Sequence, residues 1–119
     1  MRAALLVITV LAVGCADDSL SNTAYRRLVD GYSSYDECVA HGNFTDCYQT
    51  LTFCADGSVS MTLAIEHEVG TYKVEDQTAV AKFLAKTVMF DLDTATSPQL
   101  PGQHPWELVE PVQYDCASP

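Results

Sequence analysis

The chain has 119 residues, 48% of them apolar, and a formal net charge of −10. That length suits one domain around one modest core. The acidity repels phosphate backbones and excludes nucleic acid as a natural partner, while the scatter of the 16 acidic residues is the pattern of a solvated surface.

The N-terminus reads first as a targeting segment. Arg2 precedes an apolar run, Ala3 to Val13, far short of the ~20 apolar residues that span a bilayer. A basic start, a short apolar run and small residues at its end make a secretory signal, so residues 1–14 are set aside from the fold. Ala12-Val13-Gly14-Cys15 resembles the lipobox of bacterial lipoproteins, with Ala12 where the family usually has Leu. The resemblance implies a diacylglyceryl thioether on the Cys15 sulfur, cleavage before Cys15, and a third acyl chain such as palmitate on the new N-terminus. Two acyl chains already anchor a protein stably, at ~0.8 kcal/mol per buried CH₂. The implied location is the bacterial cell envelope. Asp17 stands one place beyond the position that holds enterobacterial lipoproteins at the inner membrane, which favours the outer membrane.

The cysteine count agrees with export. Cys15, Cys38, Cys47, Cys54 and Cys116 are odd in number, and lipid on Cys15 leaves an even four. An oxidising compartment then favours two disulfides. Three pairings exist, and the one expected is Cys38–Cys47 with Cys54–Cys116. The first closes a short loop through Gly42, and the second ties a central strand to the C-terminal tail. Without a Cys-x-x-Cys pair, zinc is not expected.

The mature chain, residues 15–119, keeps five basic residues: Arg26, Arg27, Lys73, Lys82 and Lys86. Residues 15–24 read as a lipidated tether whose small polar run from Ala16 reaches ~30 Å if extended. Residues 25–119 read as a single β-domain. Arg26 to Tyr35 is expected to hold the first strand, and Asp36 to Asp46 a cysteine-bearing loop. Cys47 to Cys54 and Ser58 to Ile65 both alternate around Ala55-Asp56-Gly57, a strong hairpin signal. Glu66-His67-Glu68 reads as a turn and Val69 to Val74 as a strand, with a turn at Glu75-Asp76-Gln77. Thr78–Leu84 and Thr87–Leu92 read as strands; the alternative is an α+β fold with a helix near residues 77–87, from apolar spacing at Val80, Phe83, Leu84 and Val88. Asp93 to Pro105 is a Pro-rich loop, Trp106 to Val109 a last short strand, and the rest a tail held by Cys116.

Short strands and tight turns predict an all-β fold, a small antiparallel barrel or a sandwich of hairpins. The segment Leu51 to Val59, followed by Gly70-Thr71-Tyr72-Lys73-Val74, is similar to the hairpin rhythm of small lipocalin-like bacterial domains, although the Gly-x-Trp that opens lipocalins is missing at Gly31-Tyr32. That resemblance implies a carrier of a small apolar ligand.

The catalytic inventory is empty: no Gly-x-Ser-x-Gly, His-Glu-x-x-His or Gly-rich phosphate loop occurs. His41, His67 and His104 are dispersed, and Glu66-His67-Glu68 reads as a solvated acidic turn rather than a metal site. No cofactor is expected. Tyr25, Tyr32, Tyr35 and Tyr48 are candidates for a binding face, weighed against the alternative that they cover the core. The function expected is a lipid-anchored envelope protein acting as a non-catalytic binding module, with a protein or a small apolar ligand as partner. The alternatives are the lipocalin-like carrier and a secreted inhibitor.

Overall fold

The computed structural model describes residues 19–41, 47–63, 66–111 and 116. Cys15, with the signal and most of the tether, lies outside them. The elements are β1 (Thr23–Leu28), α1 (Tyr35–His41), β2 (Tyr48–Phe53), β3 (Ser58–Leu63), β4 (Glu66–Glu75), β5 (Thr78–Lys82), β6 (Thr87–Asp91) and β7 (Glu107–Val109). All pairings are antiparallel, in the order β6-β5-β4-β3-β2-β1-β7. The sheet curls into a half-barrel stapled by Cys38–Cys47 and Cys54–Cys116. The all-β expectation and the expected cysteine pairing are both met.

The central hairpin forms for the reasons its sequence states. Cys54 N–H donates to the Ser58 carbonyl and Gly57 N–H to that of Cys54, closing three residues, Ala55 to Gly57. Gly57 sits at φ 91°, a conformation that favours glycine. Asp56 Oδ1 accepts from the Ser58 N–H and hydroxyl, at 2.9 and 2.6 Å. These bonds hold the Asp56 carboxyl below its ordinary pKa.

Alternation places one face of each strand in the core. Tyr25, Leu51, Phe53, Val59, Met61, Tyr72, Ala79, Ala81, Val88 and Phe90 are all buried in one cluster. The segment 77–87 becomes β5 and a turn, not a helix, and the alanines explain why. Ala81 lies opposite Tyr72, and Ala79 opposite Phe90. A small residue beside each ring lets the sheet curl until Phe90 on β6 meets Tyr25 on β1, with ring centres 4.7 Å apart. Burial raises the pKa of both Tyr25 and Tyr72, so their hydroxyls stay protonated.

Strand ends shift by one or two residues throughout, and four departures from expectation are larger. The first strand begins at Thr23 and ends before Gly31, which takes φ 99° in a turn. The tether therefore stops well short of residue 24, since Ser19 to Asn22 already bond the domain. Part of the loop expected from Asp36 is the helix α1, extending back to Tyr35. Glu37 N–H bonds the Ser34 hydroxyl, and the Glu37 carboxylate accepts from Ser33, an N-terminal box of the Ser-x-x-Glu kind. Finally, Glu66 to Glu68 opens β4 instead of turning, because its backbone pairs with β3 as far as Leu63.

β6 and β7 do not pair with each other. A strap, residues 92–106, fills the gap instead. It is bonded to the β6 edge by Met89 N–H to Gln99 Oε1 (2.8 Å) and to the turn after β1 by Gln103 N–H to Asp30 Oδ1 (2.8 Å). Leu100 and Trp106 bury their side chains from it.

Gly70 marks where β4 and β5 crowd. A Cβ there would lie 2.2 Å from the Lys82 carbonyl oxygen and 3.0 Å from Phe83 Cδ1. Both the backbone and a core ring would have to move. Gly70→Ala should lower Tm by about 5–15 °C, the consequence of about 1–3 kcal/mol of overpacking. Circular dichroism melting reads it, and an unchanged Tm would show that β5 yields freely.

A candidate binding groove on the outer face

The outer face of the half-barrel carries a polar ladder that only the strand register assembles. Glu107 on β7 lies opposite Arg26 on β1, Arg26 opposite Thr50 on β2, Thr50 opposite Thr62 on β3, and Thr62 opposite His67 on β4. These five residues form one row across five strands, on the face away from Tyr25, Leu51 and Met61. Two pairs in the row interact, the first as an ion pair and the second as a hydrogen bond. Arg26 Nε stands 3.6 Å from Glu107 Oε1, and Thr62 Oγ1 is 2.8 Å from His67 Nδ1.

The next row towards the start of β1 holds Val109, Ala24, Thr52 and Ser60. Small side chains there leave a floor below the Arg26 row. The result is a groove of about 1050 Å³, lined at one end by Asn22, Thr23, Glu110 and Pro111 and at the other by Arg26 and Tyr48. Thr50, Thr52 and Thr62 line it between.

A stack of side chains forms the upper bank. The Arg26 guanidinium carbon lies 4.1 Å from the Tyr48 ring centre. On Tyr48 the Tyr35 ring of α1 is stacked at 5.2 Å and 17°. Cation–π contact and ring stacking thus fix Arg26 between Tyr48 and Glu107. The Cys38–Cys47 bond holds α1 beside the start of β2, which brings Tyr35 to this bank.

Of the tyrosine group, Tyr35 and Tyr48 meet here. Tyr25 is a core residue, and Tyr32 packs on the small cluster of Val29, Cys38 and Cys47. The histidines stay apart: His67 in the ladder, His41 ending α1, and His104 with Nε2 2.6 Å from the Tyr32 carbonyl oxygen. Among the described residues no group of three His, Cys, Asp or Glu side chains is placed to hold a metal ion. The interior is occupied by rings: Phe53 touches Tyr72 and Phe90, and Phe90 touches Trp106. That filling does not favour a carrier cavity inside the sheet.

Arg26, Thr50 and Thr62 were not candidates from sequence. Alternation places Thr50 and Thr62 on the polar side of their strands, whereas Arg26 and Arg27 are adjacent and alike in sequence, and only the fold buries one and leaves the other on the outer face. Comparison with protein-family models, curated proteins and solved structures finds no match for this chain. No helix among the described residues is long and apolar enough to cross a membrane.

Proposed function

We propose that this chain is a lipid-anchored protein of the bacterial cell envelope, on the outer membrane, acting as a non-catalytic binding module. The observation that carries the binding role is the groove beneath the Tyr35–Tyr48–Arg26–Glu107 stack. It sets a fixed aromatic stack and a cationic group beside threonine side chains, which suits recognition of a polar partner. The anchor rests on Cys15 at the end of a signal-like segment and on the even number of cysteines that remain. Attachment at Cys15 would leave the mature chain anchored at its N-terminus and not spanning.

Two measurements test this reading. The intact mass of protein extracted from membranes should equal residues 15–119 plus one thioether-linked diacylglyceryl group and one N-terminal acyl chain, with all four remaining cysteines oxidised. Unacylated protein in the culture medium would instead support a secreted inhibitor. For the groove, a photo-crosslinking amino acid at Thr50 should give a discrete adduct in cells, while the same group at Lys73, exposed beyond the groove, should give none. Equal labelling at both positions would defeat the groove as the binding surface.

A further inference from the structure

The N-terminal approach to β1 is pinned to one end of the half-barrel. Leu20 N–H donates to the Tyr72 hydroxyl at 2.7 Å, and that hydroxyl donates onward to the Cys54 carbonyl at 2.8 Å. Ser19 Oγ donates to the Ala55 carbonyl, at 3.1 Å, and Asn22 Oδ1 accepts the Ala55 N–H, at 2.8 Å. Leu20 packs on the core from this end, together with Val74, Leu92 and Ala95. Strand polarity puts three turns here: Ala55–Gly57, Asp76–Gln77 and 92–95. The opposite end carries α1, between the far ends of β1 and β2.

Only four residue steps separate Cys15 from Ser19. Fully extended, they reach at most ~14 Å, against the ~30 Å of a tether lasting to residue 24. We propose that this turn end is the surface held against the bilayer, and that α1 is presented away from it. This rests on lipid attachment at Cys15. The partner surface is the lipid headgroup layer, and covalent reach rather than affinity brings it close. Each of the three turns carries an exposed aspartate: Asp56, Asp76 and Asp93. None has a lysine or arginine, so the end has no attraction of its own for anionic lipid. Without the anchor the domain should leave the membrane entirely.

The orientation is tested without depending on cellular lipidation. In the oxidised 15–119 chain Cys15 is the sole free thiol, because the other four are paired. Coupled to a maleimide phospholipid in phosphatidylcholine nanodiscs, it supplies the anchor chemically. A small fluorophore, introduced as an unnatural amino acid at Gln77 or at Ala40 of α1, reports proximity to a headgroup-attached quencher. Quenching at Gln77 should exceed that at Ala40 severalfold. Inserting ten Gly and Ser residues after Cys15 should erase the difference, and Tyr72→Phe, which frees Leu20, should reduce it. Equal quenching at the two positions, or a difference that survives the inserted linker, would overturn the orientation. Absence of lipid on the cellular protein would overturn only the anchor reading.

Discussion

Arg27→Ala is expected to lower the unfolding free energy by about 4 kcal/mol, because it leaves buried carbonyls unpaired and removes packing. Arg27 lies on β1 facing the core side and is 5% exposed. Its Nη1 donates to the Leu100 carbonyl at 2.7 Å, its Nη2 to that of Pro101 at 3.2 Å, and its Nε to Gln49 Oε1 at 2.7 Å. The guanidinium also lies 4.5 Å from the Trp106 ring centre. Burial lowers the Arg27 pKa and nearby Asp30 raises it, and the group remains charged at neutral pH. One side chain thus clamps the strap over the gap between β6 and β7. A domain of this size has about 5–15 kcal/mol in all, so this loss brings it near the threshold. Urea unfolding followed by the fluorescence of Trp106, the chain's single tryptophan, measures it. Arg27→Lys should recover less than half, since an ammonium on a thin stem cannot serve three acceptors in a plane. Gly102→Ala gives a milder probe if Arg27→Ala does not fold. Its Cβ would stand 2.5 Å from Arg27 Nη1, so it should loosen the same clamp while every original donor remains. A loss below about 1 kcal/mol for Arg27→Ala, the scale of an ordinary surface hydrogen bond, would refute the clamp.

The clamp was invisible in the sequence because its two acceptors on the strap are backbone atoms 73 and 74 residues away. What sequence does carry is local. Asp56-Gly57 between two alternating runs specified the β2–β3 hairpin, while Thr78 to Leu92 read as strands only from the rhythm of the neighbouring hairpins, against a helix from the spacing of Val80, Phe83, Leu84 and Val88. The alanines, poor strand formers by propensity, were the ambiguous part, and their meaning lies in the rings they face. α1 was missed because only Cys38 of its seven residues is buried, so no apolar stripe exists to read. Its Ser34-Tyr35-Asp36-Glu37 box was the available signal. The groove was legible only in halves. Tyr35 and Tyr48 stood out as aromatics, whereas Arg26, Thr50 and Thr62 become neighbours through pairing register alone.

The two disulfides should contribute unequally, and the inequality bears on the groove. Cys54–Cys116 spans 62 residues and Cys38–Cys47 spans nine. In the chain-entropy account, cross-linking the longer loop stabilises by about 4 kcal/mol and the shorter by about 2.5 kcal/mol. Cys54→Ala with Cys116→Ala should therefore show the larger fall in urea midpoint. A larger fall for the Cys38 and Cys47 pair would contradict this ranking. Each loss should also open a different wall. Without Cys116 the chain after Pro111 loses its tie to the end of β2, and the groove loses the hold on its Glu110 and Pro111 rim. Without Cys38–Cys47, α1 loses its tie to β2, and Tyr35 leaves Tyr48. The Thr50 crosslink should weaken in both variants at temperatures where both remain folded. Stability loss alone predicts an unchanged adduct below the melting transition, so a full adduct in both folded variants would separate the groove's walls from its partner. The same cysteines then would hold the fold together without shaping what it binds.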